Sequence, residues 1–261
     1  MSKTQIDQVF EKLKETDDKA FISYIMAGDG GLGNLKHQIK TLEAAGVDII
    51  ELGIPFSDPV ADGPVIQQAG IRALDAGVSL QKILDELKRI KDDINVPIVL
   101  MTYINPVLNL GYQAFAEDAR ESGVSGVILP DVPFEEEDEV STHLVDNDIA
   151  LVRLVTLTSD EERIRELSEG AEGFLYAVTV KGTTGGRASF GEETYELLEK
   201  IKGIADVPVC AGFGVSNKKM AEALGEHCDG VIVGSKIVDM LHQGEEDGIR
   251  NLIPEKSNAV K

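Results

Sequence analysis

The chain lacks most marks of a secreted, metal-bound or membrane protein. It has two cysteines, Cys210 and Cys228, too few for a disulfide framework. Its cysteines and histidines show no metal-ligand spacing. No apolar run approaches the ~20 residues of a spanning helix. Residues 1–15 are charged and lack a secretory core and cleavage site, which points to the cytoplasm. Basic residues are scarce: 25 Lys and Arg stand against 46 Asp and Glu, a net charge of −21. Nucleic acid and anionic membranes need a basic footprint, so neither is expected as a partner. Much of the acidic excess lies in helical stretches such as 135–139. A solvated face, with solubility or adaptation to salt, is the plain reading; a cationic partner is the other. No dinucleotide fingerprint or Walker A loop occurs. No linker or low-complexity segment divides the chain. The 261 residues therefore read as one domain, with a tail at about 254–261 expected to be disordered.

What is present is an alternation. Short β-branched runs at 21–26, 47–52, 98–101, 126–129, 150–154, 173–178, 207–211 and 230–233 read as buried parallel strands. Between them lie stretches with helical spacing, such as Leu80, Ile83, Leu84, Leu87 and Ile90. Several helices are expected to end on a glycine that feeds the next strand, at Gly46, Gly123 and Gly170. Eight such units in about 250 residues match an α/β fold of the (β/α)8 TIM-barrel type. An extra N-terminal helix, about 5–14, would cover the barrel's bottom.

Active sites in this architecture lie at the C-terminal ends of the strands. Strand 2 ends in Glu51, a charge inside an apolar run and expensive to bury. It leads into a long, proline-stiffened loop carrying Asp58 and Asp62. Glycine-containing turns follow strands 6, 7 and 8, at 182–187, 212–214 and Gly234-Ser235. They either close tight turns or let backbone amides approach a phosphate. The loop at 182–191 has the look of a lid. Lys181 before it reads as a solvated lysine rather than a Schiff-base amine. Tyr24, Tyr103 and Tyr176 face the catalytic end, as core filling or as an aromatic pocket. Ile22, Leu100, Leu129, Ile149 and Phe213 are candidate walls. No histidine falls at a strand end, and both cysteines read as buried thiols.

The run Glu51-Leu52-Gly53-Ile54-Pro55-Phe56-Ser57-Asp58-Pro59-Val60-Ala61-Asp62-Gly63-Pro64-Val65-Ile66-Gln67 closely resembles the signature of the tryptophan synthase alpha subunit family. Leu129-Pro130-Asp131-Val132-Pro133, Tyr103-Ile104-Asn105-Pro106, Gly182-Thr183-Thr184-Gly185, Gly212-Phe213-Gly214 and Gly234-Ser235 also fall where that family has them. The resemblance implies a TIM barrel and a lyase. The reaction is reversible retro-aldol cleavage of indole-3-glycerol phosphate to indole and glyceraldehyde 3-phosphate.

By resemblance, Glu51 is the general acid/base and Asp62 accepts the indole N–H. Tyr176 contacts the substrate near the reacting carbons, and Thr184 positions the closing loop against Asp62. Tyr24, Leu100 and Phe213 join the substrate pocket. Gly185, Gly214, Gly234 and Ser235 bind phosphate. The resemblance also implies a beta subunit as partner, met through the loop at 55–58 and the segment after Tyr103, in an alpha2-beta2 tetramer. Pyridoxal phosphate belongs to that partner, and no cofactor or metal is expected in this chain. One departure is Gly28-Asp29-Gly30-Gly31, where the family usually has Gly-Asp-Pro-Gly; this loop is expected to be less stiff.

Two competing readings are weaker. A Schiff-base aldolase needs a lysine inside a barrel strand, and none is there. A non-catalytic regulatory barrel would lack a catalytic carboxylate, and Glu51 and Asp62 are both present.

Overall fold

The computed structural model describes residues 2–156, 158–178, 190–212 and 214–257. Nine strand segments among them form one all-parallel sheet: β1 Ala20–Met26, β2 Ile49–Gly53, β3 Ile98–Met101, β4 Val124–Ile128, β5 Ala150–Leu151, β6 Leu154–Thr156, β7 Leu175–Val178, β8 Val209–Gly212 and β9 Gly230–Val233. Their order is β5-β4-β3-β2-β1-β9-β8-β7-β6. The helices are α1 Lys3–Glu15, α2 Leu35–Ala45, α3 Pro64–Asp75, α4 Leu80–Ile90, α5 Ile104–Leu110, α6 Tyr112–Glu121, α7 Asp138–Asp146, α8 Glu161–Ser168, α9 Glu192–Ile204, α10 Lys218–Gly225 and α11 Ser235–Gln243.

The two ends of that strand order are halves of one strand. β5 pairs with β4, and β6 pairs with β7. Between them the Val152 N–H donates to the Val127 carbonyl at 2.9 Å, and the Arg153 carbonyl accepts from the Tyr176 N–H at 2.9 Å. Eight strand positions thus close a TIM barrel, as expected. The fifth strand, expected unbroken over 150–154, is interrupted at Val152 and Arg153. The break falls where the Arg153 guanidinium is tied to Glu137 at 3.0 Å and to the Leu167 and Glu169 carbonyls at 3.1 and 2.7 Å.

Alternation along the strands makes two cores. Phe21, Ile50, Leu52, Ile98 and Val127 face outward against the apolar stripes of the helices, with Ile39, Leu84 and Phe115 among their partners. Ile22, Ile49, Val99, Ile128, Val152, Cys210 and Ile232 fill the barrel's interior. The interior has an open bottom, and α1 closes it. Ile6, Phe10 and Leu13 lie three and four residues apart, hence on one face, and join the inner core. Ile6 is completely buried. A Cβ at Gly126 or Gly173 would stand 3.1 or 3.5 Å from it, so small residues on the barrel wall make its seat.

The expected glycine stops are present. Gly46 ends α2 in the left-handed region at φ 100°, and its N–H bonds back to α2 carbonyls. Gly123 and Gly170 also have positive φ, at 79° and 67°. The C-terminal segment runs back under the barrel. Lys256 pairs with Asp48 and donates to the Gly46 carbonyl, and the Ser257 N–H donates to Asp18 at 2.9 Å. Residues 258–261 of the expected disordered tail lie outside the described residues. No helix among the described residues is long and apolar enough to cross a membrane.

The plug gives a direct test. Ile6→Ala should lower unfolding stability by about 2–5 kcal/mol, the usual cost of a buried Ile-to-Ala cavity. Urea unfolding followed by circular dichroism measures it. A loss below ~1 kcal/mol would contradict the role of α1 as the barrel's floor.

Candidate active site

Glu51 is where an inward-facing strand position meets the barrel's catalytic end. On β2, Ile49, Glu51 and Gly53 alternate inward. Glu51 has Tyr24 of β1 and Val99 of β3 as cross-strand neighbours. The side chain is buried, with 3% exposure for the residue. Its Oε2 atom has no hydrogen-bond partner among the described residues. A carboxylate there would be stripped of water, so the neutral acid is favoured. Burial pushes the Glu51 pKa up to about 8, and the nearby charge of Asp62 adds to the effect.

Asp62 comes from the long loop between β2 and α3. The loop starts firmly: the Ile54 N–H donates to the Met101 carbonyl at 2.9 Å. Its outer part is exposed, and Val60 reaches 84% exposure. It then turns inward, with the Asp62 N–H on the Pro59 carbonyl at 3.1 Å. Gln67 Nε2 holds the Asp62 carbonyl at 2.9 Å. Pro64 opens α3, a position where the missing N–H costs nothing.

Tyr103, just after β3, organises this turn. Its hydroxyl accepts the Ala61 N–H at 3.0 Å and donates to Asp62 Oδ2 at 3.3 Å. Its ring stacks on Phe56 with centroids 5.2 Å apart. Burial raises the Asp62 pKa to about 6, while the Tyr103 hydroxyl holds it down by bonding the carboxylate. The two acids therefore separate: near neutral pH, Asp62 is charged and Glu51 is not. Asp131, after β4, accepts the Ile104 N–H at 3.1 and 3.2 Å and so caps α5 beside the same loop. Residue patterning gave Tyr103 no role beyond core or pocket, because a loop-to-strand contact leaves no local periodicity.

Two glycines let two tyrosines lie across the barrel mouth. A Cβ at Gly53 would stand 2.0 Å from the Tyr24 hydroxyl, and one at Gly212 would stand 2.5 Å from the Tyr176 hydroxyl. Tyr24 and Tyr176 are both buried. Burial first, then the acids Asp62 and Glu51, push the Tyr24 hydroxyl well above its ordinary pKa. Both tyrosines thus stay protonated.

Three of the expected phosphate-binding residues, Gly214, Gly234 and Ser235, lie at neighbouring strand ends. Gly214 follows β8 and Gly234 follows β9, and these strands pair. Gly214 has φ 72°, and no heavy atom of the described residues comes within 4 Å of where a Cβ would sit. Gly234 N-caps α11 without a side-chain hydrogen bond, and Ser235 is the helix's first residue. A Cβ at Gly234 would be 3.4 Å from the Tyr24 Cβ. The anion-attracting end of α11 therefore lies beside Tyr24. Thr184, Gly185, Phe213 and Lys181 lie outside the described residues.

Leu100 does not join the site. It is completely buried in the outer core, while its neighbours Val99 and Met101 belong with the interior set. A one-residue slip along a strand reverses the face, and Met101 holds the inward position expected of Leu100. Ile149 lies ahead of β5, at the barrel's other end, and also belongs to the outer core. Ile22 pairs with Ile49 in the layer beneath Tyr24 and Glu51. The Gly28–Gly31 turn is anchored by Asp29, which takes two 2.7 Å bonds from Arg72 of α3. Cys210 and Cys228 are buried, and burial pushes both thiols up.

Burying Glu51 has a stability signature. Its folded pKa lies above the ordinary value of 4.5. The folded state therefore loses stability as pH rises from there toward about 8. Glu51→Gln removes that loss. The variant should melt close to wild type at mildly acidic pH and above it at alkaline pH. A constant difference across pH would contradict a buried neutral acid.

The family profile described as "Tryptophan synthase alpha chain" matches residues 10–260. The tryptophan synthase alpha chain of Oceanobacillus iheyensis is 51% identical over 255 residues, covering 98% of this chain and 97% of that protein. Among solved structures, Mycobacterium tuberculosis tryptophan synthase superposes with a TM-score of 0.87 at 34% identity, covering 95% of this chain and 94% of the other. The Legionella pneumophila tryptophan synthase subunit alpha gives 0.85 at 34% identity, covering 96% and 94%.

Proposed function

The chain belongs to the tryptophan synthase alpha chain family, and we propose that Glu51 and Asp62 carry the family's chemistry in it. It is a lyase of tryptophan biosynthesis. It cleaves indole-3-glycerol phosphate to indole and glyceraldehyde 3-phosphate, and indole passes to the beta subunit. The pyridoxal phosphate of the whole enzyme is carried by that beta subunit.

The observation that carries the residue assignment is two carboxyl groups at one barrel mouth: Glu51, buried with one oxygen unpartnered among the described residues, and Asp62, held by the Tyr103 hydroxyl. The bond to break joins indole C3 to the first carbon of the glycerol chain. Cleavage leaves an electron pair on C3, which an aromatic ring resists. Glu51, held protonated by its dry surroundings, delivers a proton to C3 and makes an electron-poor indolenine. The resulting Glu51 carboxylate takes the proton from the adjacent chain hydroxyl. The C–C bond then breaks, its electrons restore the indole ring, and the aldehyde forms. Glu51 ends as it began, protonated. Positive charge that develops at the ring nitrogen meets the carboxylate of Asp62, already fixed by Tyr103. Tyr176 packs against the reacting part of the substrate. Backbone amides at Gly185, Gly214, Gly234 and Ser235 take the phosphate, and Thr184 positions the closing loop against Asp62.

The beta subunit meets the same end of the barrel. Exposed apolar side chains there, Val60 in the loop and Leu108 on α5, support docking through the 55–58 loop and the segment after Tyr103. The assembly is an alpha2-beta2 tetramer in the cytoplasm.

Glu51→Gln and Asp62→Asn should each lower kcat for indole release by about a hundredfold or more, with a much smaller change in KM. Wild-type kcat/KM should be bell-shaped in pH, rising near 6 as Asp62 ionises and falling near 8 as Glu51 loses its proton. Tyr103→Phe removes the donor that favours the Asp62 carboxylate, so the acidic limb should move to higher pH. Steady-state indole release across pH, with and without the beta subunit, measures all three. A Glu51→Gln enzyme with wild-type kcat would overturn the assignment.

A further inference from the structure

Among the described residues, two buried polar atoms at the barrel mouth have no hydrogen-bond partner: Glu51 Oε2 and the Tyr24 hydroxyl. Glu51 is already assigned to the chemistry. Tyr24 is not explained by packing. A phenylalanine ring would fill the same space without stranding a hydroxyl, and a stranded hydroxyl costs free energy. A functional partner for that oxygen accounts for its presence.

Position indicates what the partner is. Tyr24 is the cross-strand neighbour of Glu51. Its Cβ end borders Gly234, at the N-terminus of α11 where the phosphate is taken. Its hydroxyl end lies over Gly53, whose missing side chain gives it room. Tyr24 therefore spans the interval from the phosphate end of the pocket to the acid. The substrate segment that spans the same interval is the three-carbon chain between phosphate and indole, which carries two free hydroxyls. The phenol stays protonated beside Asp62 and Glu51, so it both donates and accepts.

We propose that the Tyr24 hydroxyl hydrogen-bonds a hydroxyl of the substrate's glycerol chain and selects hydroxylated chains over bare ones. This rests on the assignment of Glu51 and the phosphate end given above, and adds a specificity-determining contact to it. The bond holds the chain so that the carbon next to indole faces Glu51. Among the described residues the same hydroxyl has no partner of its own.

The test compares two ligands on the full chain with its beta subunit, in a Glu51→Gln background that prevents turnover. One ligand is indole-3-glycerol phosphate. The other is 3-(indol-3-yl)propyl phosphate, which has the ring and phosphate but neither hydroxyl. Adding Tyr24→Phe should weaken the first by about tenfold, the usual scale for one neutral hydrogen bond, and leave the second unchanged. Equal weakening of both ligands, or of neither, would overturn the proposal. Removal of a stranded hydroxyl should leave the melting temperature unchanged or higher. Should Tyr24→Phe fold poorly, the decision falls to analogues lacking one chain hydroxyl at a time, bound to the chain with Tyr24 intact. One of them must lose about tenfold; if neither does, the proposal fails. Indole release by Glu51→Gln alone separates the two levels. A Glu51→Gln chain that still releases indole overturns the acid/base assignment. An inactive one, with Tyr24→Phe binding both ligands normally, overturns only the Tyr24 contact.

Discussion

The structure turns on one unfavourable placement: a carboxyl group in the dry mouth of the barrel. Glu51 is held there by β2, whose alternation leaves it no outward option without reversing Ile49 as well. Burial keeps it protonated near neutral pH, and protonation is what the proposed first step of the cleavage asks of it. The same burial opposes folding at alkaline pH, so function and stability pull in opposite directions at this residue. The barrel below absorbs that conflict with a close-packed interior that α1 seals from beneath.

Asp62 shows the complementary solution. It is less buried, it comes from a loop, and it has a donor. Tyr103 holds both the carboxylate and the preceding N–H of Ala61, so one hydroxyl fixes the turn and favours its charge. Two acids of similar chemistry thereby take opposite protonation states in one pocket. The tyrosines at the mouth depend on glycine in the same way. Gly53 and Gly212 leave the space that the rings of Tyr24 and Tyr176 occupy, and any side chain there would displace them.

Much of this was legible in the sequence. The β-branched runs located the strands, since a strand buried on both faces must be apolar throughout. Gly46, Gly123 and Gly170 marked helix ends because they take backbone angles that other residues resist. Glu51 stood out because a charge in such a run is costly. Other features carried no local signal. The Tyr103–Asp62 bond joins residues 41 apart in the chain, and nothing near either one announces it. The break at Val152 and Arg153 reflects where Arg153 finds partners on two other elements. Leu100 was a slip of one position, which in a strand exchanges the inner face for the outer. The stranded Tyr24 hydroxyl is visible only in three dimensions, as an absence of partners among the described residues.

The most direct test of the central claim is the protonation state of Glu51 itself. Infrared difference titration of wild type against Glu51→Gln isolates the one carboxyl that the pair does not share. A protonated carboxyl band that persists through neutral pH and is half lost near pH 8 is the predicted result. A band that disappears near the ordinary value of 4.5 would mean that Glu51 is a solvated carboxylate in the free chain. It would then have no proton to deliver to the indole ring.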